Sequence, residues 1–184
     1  MKKSTILWIT RTAVLIALLV VFQWGLGALS GNNQFVVGSA VNLVLIVAAT
    51  ISGLYSGITV AVLSPFLAFV LGIGPKIVGV VPFIALGNLV LVLIWYFIAK
   101  NASATVSGYI RMAVALVVGA AVKCAVLYLS IVKIAIPYLL NLKQPQIDTF
   151  TQMFGITQFF TAAIGGALAL VVVPLLKSAI KTNK

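Results

Sequence analysis

The segment Gly72-Ile-Gly-Pro-Lys-Ile-Val-Gly-Val-Val-Pro-Phe-Ile-Ala-Leu-Gly-Asn88 is the one place where a long apolar chain is interrupted repeatedly. Gly72, Gly74 and Pro75 end one helix, and Lys76 puts a charge at what should be a membrane face. Pro82 then falls in the first turns of a new helix that carries an amide, Asn88, in its interior. Breaks of this kind persist at membrane depth where neighbouring helices or a water-lined cavity satisfy the freed backbone groups. The segment therefore reads as the outer rim and one wall of a ligand pocket, or as a tight turn followed by an ordinary helix.

Composition sets the solvent. Of 184 residues 63% are apolar and 7% charged, and the mean hydropathy is +1.27. Runs of mostly apolar residues long enough to cross a bilayer recur along the chain, and they are continuous rather than alternating, which points to helices and excludes a β-barrel. The expected fold is an all-α integral membrane protein, with residues 1–184 forming a single membrane domain of six spans. These run from about Thr5 to Leu29, from Val36 to Ser52, from a tight Gly53-Leu54-Tyr55-Ser56-Gly57 corner to near Gly72, and from Val78 to Ala99, Tyr109 to Val132 and Phe150 to Leu176. A polar turn Gly31-Asn32-Asn33-Gln34 follows the first, and a longer connection with Pro137, Pro145 and Asp148 follows the fifth. The basic start and long apolar run of the N-terminus read as a retained first helix. No internal repeat supports an inverted-repeat transporter.

The formal charge of +11 sits at helix ends rather than as a patch on a folded surface, so nucleic acid is not the expected partner. Its placement describes topology instead. With the N-terminus cytoplasmic, one side receives Lys2, Lys3, Arg11, Lys100, Arg111, Lys177, Lys181 and Lys184, and the other Lys76, Lys133 and Lys143. Eight against three fits the positive-inside rule and puts both termini in the cytoplasm. The Asn32-Asn33-Gln34 turn, the Gly72–Lys76 break and the Pro137–Asp148 loop then share the outer face, as a binding entrance would.

Enzyme chemistry has little to work with. The chain has no His, one Cys and one acidic residue, which leaves no paired carboxylate, metal cluster or base beside a nucleophile. Neither catalysis, a metal nor a cofactor is expected, and Cys124 cannot form an internal disulfide. Proton- or sodium-coupled transport usually wants an intramembrane carboxylate. With none present, energy for transport must come from a partner.

Lys123 is the most informative side chain, since an ammonium deep in a helix costs ~3 kcal/mol or more unless it finds a partner or water. It is read either as a cavity-facing cation for an anionic group such as a carboxylate, or as a side chain snorkelling to the outer interface. Asn42, Asn88, Gln152 and Gln158 are read as buried amides that bond a polar ligand or tie helices together. Trp24, Trp95, Tyr128 and Tyr138 suit an interfacial belt better than a stacking site. The pairs Ala13/Ala17, Gly53/Gly57 and Ala162/Gly166 repeat a small-x-x-x-small spacing that permits close helix approach, internal or to another protein.

The stretch Arg11-Thr-Ala13-Val-Leu-Ile-Ala17 resembles the alanine motif on helix one of the substrate-binding (S) components of energy-coupling factor (ECF) vitamin importers. Gly38-Ser-Ala-Val-Asn42, Gly53-Leu-Tyr-Ser-Gly57, Ser64-Pro65 and Val81-Pro-Phe-Ile-Ala-Leu-Gly-Asn88 also resemble members of that family. The resemblance implies that Ala13 and Ala17 contact a transmembrane coupling subunit riding on two cytoplasmic ATPases, in a bacterial cytoplasmic membrane. It implies a water-soluble vitamin bound near the outer face, closed over by the loops after helices one, three and five. Transport would then involve toppling of the subunit in the bilayer, driven by ATP hydrolysis in its partners. The chain most resembles the pantothenate-type members, and Lys123 suits a small acid rich in hydroxyl and amide groups. Cobalamin, folate, riboflavin and niacin stay open as cargo. A partner-independent channel or facilitator and a membrane scaffold subunit remain as other classes.

Overall fold

The computed structural model describes the backbone of residues 3–182 and the side chains of residues 5–180. The side chains of Lys2, Lys3, Lys181 and Lys184, counted in the charge balance, lie outside the described residues. The described chain is helical throughout its ordered elements: α1 (Lys3–Ser30), α2 (Gln34–Val47), α3 (Leu54–Val70), α4 (Val81–Ala99), α5 (Val106–Leu127), a single turn α6 (Ile136–Tyr138), α7 (Gln144–Phe154) and α8 (Ile156–Thr182). Short π-helical segments extend α2 (Ala48–Ser52) and α5 (Tyr128–Ala135), and a 3-10 turn (Val78–Val80) leads into α4.

Five helical stretches are long and apolar enough to cross a membrane, namely Thr5–Ser30, Gln34–Ser52, Val78–Ala99, Val106–Tyr138 and Gln144–Ile180. The sixth apolar helix, Leu54–Val70, is shorter at 17 residues. At 1.5 Å per residue it spans about 26 Å, just under the hydrocarbon thickness of a bilayer.

Two boundaries differ from the sequence reading. The stretch expected as one span from Phe150 to Leu176 is broken at Gly155 (φ −89°, ψ −133°) into α7 and α8. The connection expected as a loop is partly helical, because Pro145 lies at the start of α7 and the Lys143 N–H donates to Gln146 Oε1 at 3.2 Å. Proline in the first helical turn loses no bond there, since that N–H has no intrahelical partner. The fifth span also continues through its π-helical segment to Tyr138.

Small residues set the spacing of the inner helices. A Cβ at Gly165 on α8 would stand 2.7 Å from both Asn42 Cβ and the Ser39 carbonyl oxygen on α2. A Cβ at Gly57 on α3 would stand 2.9 Å from Ala49 Cα. Gly166 lies against the Leu116 side chain of α5, and Ala162 is buried. Gly53 (φ 95°) meets open space and serves the turn into α3, whereas Gly57 and the Ala162/Gly166 pair serve internal packing, where close backbone approach supplies van der Waals contact that lipid does not. Ala13 and Ala17 do not; both are exposed on α1. Trp95 corrects the interfacial reading: it is fully buried, packed with Ile46, Met112 and Ala169, while Trp24 and Tyr138 are exposed.

At the other end of the bundle Gly31 (φ 64°) and Asn32 (φ 59°) make the reversal between α1 and α2. Asn33 Oδ1 accepts the Phe35 N–H at 2.9 Å and so caps α2. Asparagine tolerates the left-handed region that most side chains avoid, which suits it to this corner.

Candidate substrate pocket

Lys123 lies near the middle of the continuous helical stretch Val106–Tyr138, and its side chain is 3% exposed. It turns inward rather than snorkelling. Nζ donates to Asn42 Oδ1 at 2.6 Å and to Asn88 Oδ1 at 2.7 Å, joining α5 to α2 and α4. Both asparagines then pass hydrogen bonds outward. Asn42 Nδ2 donates to Thr161 Oγ1 at 3.5 Å, whose hydroxyl donates to the Gln158 carbonyl at 3.2 Å. Asn88 Nδ2 donates to Ser64 Oγ at 3.5 Å, whose hydroxyl donates to the Ala61 carbonyl at 3.5 Å. Pro65 explains the end of that second chain. It has no N–H, so the Ala61 carbonyl four residues earlier lacks its helical partner, and the adjacent serine takes its place.

Every bond in these chains points away from the ammonium. The carbonyl oxygens of Asn42 and Asn88 each accept from Lys123, which uses one of the two lone pairs on each. An ammonium has three N–H donors, and two are used. The acidic residue of the sequence, Asp148, is exposed on α7 and accepts from Gln144 Nε2. The charge of Lys123 is thus solvated by neutral oxygens and not balanced by a carboxylate.

A cavity of about 370 Å³ opens beside this cluster, within the size range of small-molecule sites. Lys123, Asn42, Asn88 and Gln158 line it. Its rim comes from Asn32 and Gln34 after α1, from Gly72, Pro75 and Lys76 after α3, and from Met153 at the end of α7. The Gly72–Lys76 break is therefore a pocket rim as well as a turn, with the Gly74 N–H donating to the Ala68 carbonyl at 3.3 Å. The third outer segment contributes through the end of helix α7 and not through Pro137–Asp148.

Gln152 does not join the cluster: it is exposed on α7 and does not line the cavity. Reading Phe150–Leu176 as one helix put Gln152 and Gln158 on a common element. The break at Gly155 separates them. Gln158 is 9% exposed, and its Nε2 donates to the Met153 carbonyl at 2.9 Å. Gln34 Nε2 donates to the same carbonyl at 2.9 Å, clamping α2 to the end of α7.

Gln23, Gln34 and Ser64 are among the lining residues that the sequence did not single out as binding residues. Gln34 had been assigned only to a turn, and Ser64 only to a short motif. Gln23 belongs to a helix that drew notice for its alanines, although an amide in an apolar run carries the same message there as Asn88 does on α4.

The family model described as ECF transporter, substrate-specific component matches residues 8–177. Comparison with curated proteins and with solved structures gives no match. The pocket, the apolar helices and the match over nearly the whole chain agree, and the chain belongs to the family of ECF transporter substrate-specific components, multi-pass membrane subunits that bind a small-molecule substrate and work with membrane and cytoplasmic partner subunits.

Proposed function

We propose that this protein is the high-affinity pantothenate-binding subunit of an ATP-driven ECF importer in a bacterial cytoplasmic membrane. The observation that carries the reading is the Lys123 ammonium, buried beside the cavity and held by two amide oxygens with no carboxylate. Neutral oxygens solvate a cation and leave its charge open to an anion, and a ligand carboxylate is the partner this site lacks. The third N–H of Lys123 is the donor for it.

The rest of the lining suits a ligand with several hydrogen-bonding groups. Gln34 and Gln158 commit their amide nitrogens to the Met153 carbonyl, which leaves their carbonyl oxygens to accept from hydroxyl or amide donors. Pantothenate combines one carboxylate with hydroxyls and an amide. Niacin is also a small acid but lacks those donors. Phe154 is the aromatic side chain among the lining residues, so a flat flavin or pterin finds no pair of rings to stack between, and a corrin exceeds the cavity.

In this reading all six apolar helices cross the membrane. Lys100, Arg111 and Lys177 mark the cytoplasmic side and Lys76, Lys133 and Lys143 the outer side. Ala13 and Ala17 are the face on which the coupling subunit docks, and their exposure on α1 supports that use. The two ATPases below it supply the energy that this chain, with one acidic residue and no histidine, cannot.

Vesicles containing this chain alone, or with its coupling subunit and ATPases, test the reading. Labelled pantothenate should accumulate only with the partners and ATP present. Accumulation by the chain alone would make it a facilitator.

A further inference from the structure

The buried seam of α1 runs through Thr12, Leu15, Leu19, Gln23 and Gly27, spaced three or four residues apart. Leu19 fills the core below the cavity, and at Gln23 the seam reaches the cavity wall. An apolar side chain would continue the seam, and an amide stands there instead. Gln23 is 8% exposed, and its Oε1 is fully enclosed without a hydrogen-bond partner. Among the described residues the other enclosed orphan is Trp95 Nε1, which does not line the cavity.

A buried carbonyl oxygen left unpaired costs about as much as a lost hydrogen bond, and no bulk water reaches a bilayer core to offset that. The neighbouring polar groups of the pocket do not relieve it. The amide N–H groups of Asn42, Asn88, Gln34 and Gln158 donate to Thr161, Ser64 and the Met153 carbonyl, the Lys123 ammonium donates to Asn42 and Asn88, and none of these donors bonds Gln23 Oε1. Gln23 thus reaches the cavity wall with part of its side chain, and a turn of its terminal amide carries the orphaned oxygen to the cavity face.

We infer that Gln23 is a specificity-determining residue that accepts a hydrogen bond from a hydroxyl or amide N–H of the bound substrate. This rests on the pantothenate reading above. Lys123 selects the anionic end, and Gln23 selects against acids that lack a donor at the other end. Because Gln23 is on α1, the substrate also touches the helix whose exposed face carries Ala13 and Ala17.

The test compares wild type and Gln23→Leu by calorimetric titration with pantothenate and three analogues. Two analogues each lack one hydroxyl, and the third is methylated at the amide nitrogen. Gln23→Leu should bind pantothenate about tenfold or more weakly, the value of one well-made bond in a buried site. The loss should shrink to within about twofold for the one analogue that lacks the donor Gln23 reads. Without ligand, Gln23→Leu should melt no lower than wild type, since it removes an unpaired acceptor. A lower ligand-free melting temperature, an unchanged affinity for pantothenate, or an equal loss for every analogue would overturn the inference. Wild type that ignores pantothenate would contradict the vitamin assignment instead, and the ligand-free melting comparison would still show whether the fold uses Gln23.

Discussion

Lys123→Met removes the ammonium while keeping an unbranched side chain of similar reach. Two opposing terms act on the ligand-free protein. The bonds to Asn42 and Asn88, at 2.6 and 2.7 Å, are short and charge-assisted, worth roughly 1.5–3 kcal/mol each. Against them stands the cost of a charge near the middle of an apolar helix, ~3 kcal/mol or more. The terms largely offset, so the variant should fold, with stability within about 3 kcal/mol of wild type. Binding has no such offset. Truncating one partner of a desolvated ion pair costs about 2–5 kcal/mol, which is roughly 30-fold to several thousand-fold in Kd. Calorimetric titration of detergent-purified protein with pantothenate, and with pantothenol in which an alcohol replaces the carboxylate, reads this directly. Wild type should prefer the acid strongly, and Lys123→Met should lose that preference along with the affinity. Binding of the acid within about threefold of wild type, or a wild type indifferent between acid and alcohol, would refute the reasoning that Lys123 meets a carboxylate.

Other perturbations follow from the same geometry. Ala13→Trp should abolish uptake in cells or in reconstituted vesicles while titration shows substrate binding unchanged, because the residue is exposed and remote from the cavity; weakened binding would place α1's outer face in the fold instead. Gly165→Val should destabilise by about 1–3 kcal/mol and also weaken binding, since the new side chain meets Asn42, the Lys123 partner; thermal melting and titration of the same sample would show both. Lys76→Ala should slow association at low salt and lose that effect at high salt, because the rim ammonium is exposed and screened. Stopped-flow measurement across ionic strengths checks it.

Much of the pocket could be read from single residues that violate an apolar context. Lys123, Asn42 and Asn88 stand out in the sequence because each is expensive in a bilayer unless something answers it, and the structure brings all three together. What periodicity could not give was which way each turned. The choice between snorkelling and facing inward depends on whether two amide oxygens lie within reach on other helices, and helix pairing is not written in any one helix. Gln152 was misplaced beside Gln158 for a different reason. Phe150–Leu176 has no proline until Pro174, so nothing but Gly155 marks the break, and a lone glycine in an apolar helix is usually tolerated. Trp95 was assigned to an interface on its residue type, although its neighbours Ala99, Ala102 and Ala115 are small enough to enclose an indole. The rim was the most legible feature, because Gly72, Gly74 and Pro75 lie within four residues and together disfavour a continuous helix, where a single proline such as Pro65 is absorbed inside one.

The central claim is that this chain alone captures one small acid and that the acid is pantothenate. Isothermal calorimetry of the purified, folded protein against the water-soluble B vitamins tests it most directly. The account predicts tight, one-to-one binding of pantothenate and no comparable binding of riboflavin, folate, cobalamin or niacin. Tight binding of a different vitamin, or no binding across the panel by a sample that melts cooperatively, would contradict it.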